Sequence, residues 1–219
     1  AETLDMARPD LVVLPGSTEE VSGVMKIASD HGVAVSPRGA GTGLSGGSTT
    51  IEGGISLGLA RMNRVIAVDP NERTALVESG ATNVSVSQAA SAFGLYFAPD
   101  PSSQIASTIG GNIAENAGGP HCLKYGMTTG HVLGVRAVLY DGTIVDIGGQ
   151  TRYSADLDLL GLIVGSEGTL AVVTEAVLKL TVAPNAVETM LAYFPTIEKC
   201  GQAVSDIVAA GVIPAAMEM

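Results

Sequence analysis

Between Pro37 and Gly47 the chain reads PRGAGTGLSGG, with five glycines in the nine residues from Gly39. Glycine loses more backbone freedom on folding than any other residue, so this run makes a poor helix and a poor strand. A loop that accepts the loss needs positive φ, or needs its N–H groups bared toward something bulky and anionic. Successive bared amides form a nest of partial positive charge, and phosphate is its commonest occupant. Three later segments share this character. PDPSS (99–103) leads into STIGGNIAENAGG (107–119), where Ser107 and Thr108 can cap a helix whose first turn holds Gly110 and Gly111. Such glycines let a ligand approach the helix N-terminus closely. Lys124-Tyr125-Gly126 follows, and GSEGTL (165–170) precedes a long apolar run. Singly, each reads as a turn. Together they predict one large ligand approached by backbone from several sides.

Context removes two nucleotide classes. GTGLSG (41–46) formally fits GxGxxG, but the dinucleotide fingerprint needs a helix opening at those glycines. GSTTIEGG (47–54) is no helix, and no Gly-Lys-Ser/Thr marks a P-loop.

The elements that must carry these loops fall into three styles. Leu11–Leu14 reads as a buried strand. Ser17 and Glu20 form a capping box, Val21, Val24, Met25 and Ala28 recur at helical spacing, and Gly32 closes the helix. Strands at 33–36 and 55–59 follow, and strand–helix–strand implies a parallel pair. From residue 65 the pattern changes: strands at 65–69 and 74–78, a helix near 84–93 stopped by Gly94, and strands at 132–140 and 143–147 joined by Asp141-Gly142. Residues 169–182 form a long strand-like run. This stretch predicts a mainly antiparallel α+β unit. Last come a strand at 189–194, an amphipathic helix at 195–210 with Ile197, Cys200, Val204, Ile207 and Val208 on one side, and a strand at 212–219. The expected division is 1–62, 63–184 and 185–219. The absence of an initial Met and the apolar, strand-like end at Met219 read as an excised piece of a longer protein.

Eleven basic residues against 22 acidic ones give a net charge of −11, with no basic stripe. This is the wrong sign for a nucleic-acid groove or an anionic membrane surface, and no apolar run is long enough for direct membrane insertion. Any phosphate must be held by backbone dipoles more than by net charge. Cys122 and Cys200 show no CxxC spacing, so no metal or iron–sulfur site is expected in this chain, and a reduced, cytoplasmic setting is the simplest reading.

The segments PRGAGTGLSGG (37–47), APDPSSQIASTIGGNIAENAGGPHCLKYG (98–126), GSEGTLAVVTEAVLKL (165–180) and GVIPAAMEM (211–219) carry a resemblance spanning nearly the whole chain. The chain resembles the PCMH-type FAD-binding domains of the vanillyl-alcohol oxidase family, and within it the glycolate-oxidising branch. The resemblance implies an α+β fold of two α/β subdomains with FAD between them, followed by the start of a C-terminal cap domain. It places the pyrophosphate on the backbone of Pro37, Arg38, Gly39, Ala40, Gly41, Thr42 and Gly43. Pro101, Ser102, Ser107, Thr108, Gly110 and Gly111 would line the isoalloxazine and ribityl region. Glu115, Asn116, Ala117 and Gly118 would continue that wall, with Tyr125 nearby. Glu167, Gly168, Val172 and Val173 would lie near the adenosine half.

Covalent members of the family attach the flavin through a His in the first glycine loop. Ala40 and the lack of His there imply non-covalent FAD. The implied reaction is oxidation of a 2-hydroxy acid, glycolate to glyoxylate, by hydride transfer to flavin N5. D-lactate or D-2-hydroxyglutarate dehydrogenases share most of the motifs, and an isolated flavin-binding module is an alternative of another class. Iron–sulfur partner subunits, through which the protein would lie peripheral to the membrane, would take the electrons. The catalytic base is expected beyond residue 219, so none is named here. His31 reads as a surface or capping residue, His121 lies near the flavin wall, His131 reads as structural, and Cys122 as an inert thiol.

Overall fold

The glycine loop hangs from a small parallel sheet. Its elements are β1 (Leu11–Val13), α1 (Thr18–His31), β2 (Val35–Arg38) and β3 (Ile55–Gly58). The computed structural model describes residues 7–149 and 157–218. Helix α1 starts at Ser17, whose side chain accepts the Glu20 N–H, and stops at Gly32 with φ 63°. The Glu20 carboxylate accepts from Gly16 N–H at 2.7 Å, extending the expected box one residue outward. The strand order is β1-β3-β2, with both pairings parallel. The strand–helix–strand expectation of a parallel arrangement holds, but β1 and β2 each pair with β3 and not with each other. Burial gives the reason: Ser56, Leu57 and Gly58 of β3 are all buried, whereas β1 is largely exposed. The most apolar-sheltered strand takes the centre.

Further along lie β4 (Val65–Asp69), β5 (Thr74–Glu78), α2 (Asn83–Ser91), β6 (Leu95–Tyr96), α3 (Ile109–Glu115) and α4 (Cys122–Tyr125). Then follow β7 (Val132–Val138), β8 (Ile144–Gly148), α5 (Leu159–Ile163), β9 (Val172–Lys179), β10 (Thr181–Val182) and α6 (Ile197–Ala209). Five of these strands form a wholly antiparallel sheet ordered β4-β5-β9-β7-β8, while β6 pairs with β10. The Asp141-Gly142 turn sits where its sequence predicts, with Gly142 at φ 85° and Thr143 N–H bonded to Asp141 Oδ1. Its tip docks on α1, where Ser22 Oγ donates to the Gly142 carbonyl at 2.5 Å.

Two apolar clusters fill the interior. The larger gathers Val77, Val86, Ile109, Ile113, Val132 and Leu178 with their neighbours between the five-stranded sheet and α2, α3 and α5. The smaller joins Val21, Leu57, Leu59 and Met62 to Val138 and Val172 of the large sheet. The parallel sheet is thus sealed by side chains from the antiparallel one, and the loops between the two sheets are held on both sides.

The C-terminal stretch departs from expectation. Residues 189–194 and 212–218 are not strands. A strand needs a neighbour for its ladder, and none flanks either segment among the described residues. Met190, Leu191 and Tyr193 are instead 84, 76 and 87 % exposed. Met219 lies outside the described residues. Helix α6 forms as its periodicity predicts, capped by Thr196, but none of its side chains is fully buried. No described helix is long and apolar enough to cross a membrane.

Candidate functional site

The loop after β2 carries the chemistry its composition predicts. From Gly39 through Gly47, no backbone N–H meets an acceptor among the described residues. Five of these nine residues are exposed and Gly39, Gly41, Thr42 and Gly46 are half-buried, so the run offers successive unpaired donors to an anionic acceptor. Gly41 and Gly46 have φ of 71° and 82°, in the left-handed region that favours glycine. A Cβ on Gly39 would run into Thr108 Oγ1, and one on Gly41 into the Arg38 guanidinium. Arg38 lies folded over the loop, with Nη1 donating to Ser48 Oγ at 3.3 Å. Opposite it stands Glu115, whose carboxylate accepts from Ser45 Oγ at 2.8 and 3.0 Å.

The loop faces α3 across a groove of about 410 Å³. One end is polar, bordered by Gly41, Thr42, Gly43, Pro101, Ser102 and Ser107. The other end is more apolar, bordered by Leu59, Gly110, Ile163, Gly168, Val172 and Val173. Pro37, Gly39, Thr108, Gly111, Ala114 and Glu167 border both, so the two ends are one continuous channel. Glu167 adopts φ 53°, unusual for a residue with a side chain, and its N–H is tied to the Ala114 carbonyl at 2.9 Å. Strain of this kind collects at ligand sites.

Most of the residues singled out from sequence converge here: Pro37, Arg38, Gly39, Ala40, Gly41, Thr42, Gly43, Pro101, Ser102, Ser107, Thr108, Gly110, Gly111, Glu115, Ala117, Glu167, Gly168, Val172 and Val173 all border the channel. Three stand behind its wall. Asn116 ends α3 at φ 50° and accepts the Thr129 N–H on Oδ1. Gly118 packs against Cys122, where a Cβ would collide with Sγ. Tyr125 stacks edge-on with Tyr96 and tilted against His121. Burial first, then the neighbouring Tyr125, pushes the Tyr96 phenol far above its ordinary value.

The entry to α3 borders the channel, but its first three amides are already paired and offer a ligand no donors. Ile109 N–H bonds Ala81 O at 2.8 Å, Gly110 N–H bonds Ser79 O at 2.7 Å, and Gly111 N–H bonds Thr108 Oγ1 at 3.2 Å. These donors are spent on the β5–α2 corner and on the cap. Gly110 serves packing, since a Cβ there would sit 2.8 Å from Ser79 Cβ.

Sequence reasoning missed Ser79, Asn112, Ile163 and Ala171 as lining residues. Two of these, with Ser107, carry the strongest sign of a ligand. Ser79 Oγ, Ser107 Oγ and Asn112 Nδ2 are buried without a partner among the described residues. An asparagine inside a helical segment, as at Asn112, is a weak sequence signal, and its burial emerges only in the fold. The histidines stay off the channel. His31 Nδ1 bonds the Ile27 carbonyl at the helix end, and His131 Nε2 bonds Tyr125 O, each at 2.9 Å. His121 Nδ1 pairs with Asp100 Oδ2, tying the α4 loop to the segment that carries Pro101. Cys122 Sγ accepts the Gly119 N–H at 3.1 Å.

The donor set fits a long, polyanionic cofactor with a polar head. The bare amides and Arg38 suit a diphosphate, the unpartnered hydroxyls and carboxamide suit ring and polyol oxygens, and the apolar end suits a flat ring. FAD has all of these parts.

Known proteins are similar to this chain in sequence and in fold. The glycolate oxidase subunit GlcD of Escherichia coli K12 is 47% identical over 212 residues, covering 97% of this chain and 42% of the relative. GlcD of Bacillus subtilis is 45% identical, over 96% of this chain and 45% of that protein. A D-lactate dehydrogenase of Archaeoglobus fulgidus is 42% identical, over 95% and 46%. Among solved structures, an alkyldihydroxyacetonephosphate synthase superposes with a TM-score of 0.81 at 31% identity, over 94% of this chain and 38% of its own. The chain therefore spans less than half the length of these relatives. The family profile described as an FAD binding domain matches residues 9–148. With the two-sheet frame, the bare-amide loop and the facing channel, this match assigns the chain to the PCMH-type FAD-binding domain family.

Proposed function

We propose that this chain is the FAD-holding portion of an FAD-linked 2-hydroxy-acid oxidoreductase, with glycolate as substrate and glyoxylate as product. The observation that carries the reading is the run of nine bare amides at Gly39–Gly47 facing buried, unpartnered polar side chains across one channel. The GlcD relatives support the reaction class and the substrate. Bound FAD would supply the two-electron acceptor for the substrate's α-carbon.

The chain's own residues hold and orient. Amides of the glycine loop, with Arg38 over Gly41, take the diphosphate. The wall from Pro101 to Gly111 takes the flavin side, and Glu167 to Val173 the adenosine side. Backbone dipoles do this work because the chain is acidic overall. The loop holds Ala40 and no His, so binding is non-covalent. The substrate carboxylate and hydroxyl would be met by residues beyond 219, and 185–219 would begin that cap domain. The exposed apolar row from Val187 to Ile213 supports the same reading. The subunit names of the relatives support partner subunits. Iron–sulfur centres in those partners would form the electron route, at a cytoplasmic, membrane-peripheral location.

A second substrate, D-lactate, is favoured by relatives of that name at 38 and 42% identity. Anaerobic titration of the full-length holoprotein separates the two. Glycolate should bleach the flavin absorbance, and acid precipitation should leave the yellow colour in solution. Bleaching by D-lactate alone would replace the glycolate reading, bleaching by neither would remove the hydroxy-acid reading, and colour retained in the pellet would refute non-covalent attachment.

A further inference from the structure

Helix α3 turns Thr108, Gly111, Asn112 and Glu115 toward the polar end of the channel. The Thr108 hydroxyl is engaged by Gly111, and the Glu115 carboxylate by Ser45. Asn112 differs. It is only 3% exposed, its Nδ2 has no acceptor, and its side chain makes no hydrogen bond with any described residue. Asparagine is a mediocre helix residue, and a buried amide without partners is a net loss to the fold. Folding gives no reason for this side chain. Its backbone does the structural work, with Asn112 N–H bonded to Thr108 O and Asn112 O to Ala117 N–H, each at 2.8 Å.

We propose that Asn112 reads the flavin ring: its carboxamide pairs with the pyrimidine edge of the isoalloxazine and positions that ring against the Pro101–Ser103 wall. The inference rests on the channel being the FAD site. Its specific ground is donor–acceptor pattern. The glycine loop offers donors only, which suits a diphosphate. A carboxamide offers a donor beside an acceptor. The flavin's N3–H flanked by two carbonyls offers the complement, whereas a diphosphate has no donor to give. Asn112 also belongs to the polar end of the channel, away from the apolar end at Ile163 and Val172. Ser107, 3% exposed with a free Oγ, borders the same end and provides a second contact.

The test uses the full-length protein and the variants Asn112→Leu and Asn112→Ala, titrated with FAD, FMN and ADP after flavin removal. Asn112→Leu keeps the volume and deletes the unmet polar group, so the flavin-free protein should melt at the same temperature or higher. FAD and FMN should each bind about tenfold more weakly, the scale of one hydrogen bond lost in a buried site. ADP affinity should not change, and the midpoint potential of bound FAD should fall. Asn112→Ala should reproduce the ligand pattern if the leucine overpacks. Unchanged FAD affinity in both variants overturns the proposal, as does equal weakening of ADP and FMN with a lowered melting temperature, which marks a structural residue. Weakened FAD with an unmoved potential and spectrum also overturns the ring assignment. A wild-type protein that binds no flavin would remove the cofactor reading itself.

Discussion

Glu78 sits buried at the end of β5, one residue before the channel residue Ser79. Burial pushes its carboxyl up, but hydrogen bonds and charge from Arg64 outweigh this and hold it below the usual carboxylate range. Arg64 donates its backbone N–H at 2.7 Å, Nε at 3.1 Å and Nη2 at 2.7 Å. A carboxyl depressed in the folded state stabilises above its unfolded pKa of about 4.3, and that stability is lost as pH falls through the lower folded value. Glu78→Gln should therefore cost roughly 2 kcal/mol at neutral pH and flatten the acid limb of the stability curve. Urea melts across a pH series measure both, and an unchanged acid limb would rule the pair out as its source. Residues of this kind mark the limit of the sequence reading. The glycine loop was legible because its composition has few other uses. Asn112 and Ser79 were not, since local sequence does not reveal which buried polar atoms lack partners.

At the scale of elements, the two glycine classes separate by what surrounds them. Gly110 lies against Ser79 with no room for a methyl, so Gly110→Ala should destabilise by roughly 1–3 kcal/mol through overpacking and push α3 into the channel, weakening FAD. Gly23, inside α1, has open space where its Cβ would stand. Gly23→Ala should stabilise by about 0.5–1 kcal/mol and leave FAD binding alone. Thermal melts of the two variants should move in opposite directions and flavin affinity should fall only in Gly110→Ala; a shared sign in the melts would contradict the packing argument. Element identity was largely legible: α1 with its caps, the Asp141-Gly142 hairpin and α6 stand where capping, turn and periodicity signals put them. Strand order was not, because β3 entering between β1 and β2 is decided by burial across the fold. The expected strands at 189–194 and, as far as residue 218, at 212–219 are absent for a related reason: an apolar run names no partner.

Across the whole molecule, the centre of each of the two larger sheets is its latest strand. β3 closes the parallel sheet, and β9 joins the β4-β5 and β7-β8 pairs into one. β9 also brings Val172 into the smaller core and Val173 into the larger. A chain stopped after residue 171 should therefore show no cooperative melt and bind no FAD, although it keeps the whole glycine loop and all of α3. A cooperative transition in that fragment would show that the hairpins suffice without their joining strand. The order also bears on biosynthesis. As the polypeptide leaves the ribosome, β1 and β2 wait for the strand between them, and two hairpins then emerge with unpaired edges facing each other across a gap. The nascent chain must carry those open edges until its β9 segment appears, so chaperone demand should peak late in translation, just before the cofactor cradle can close.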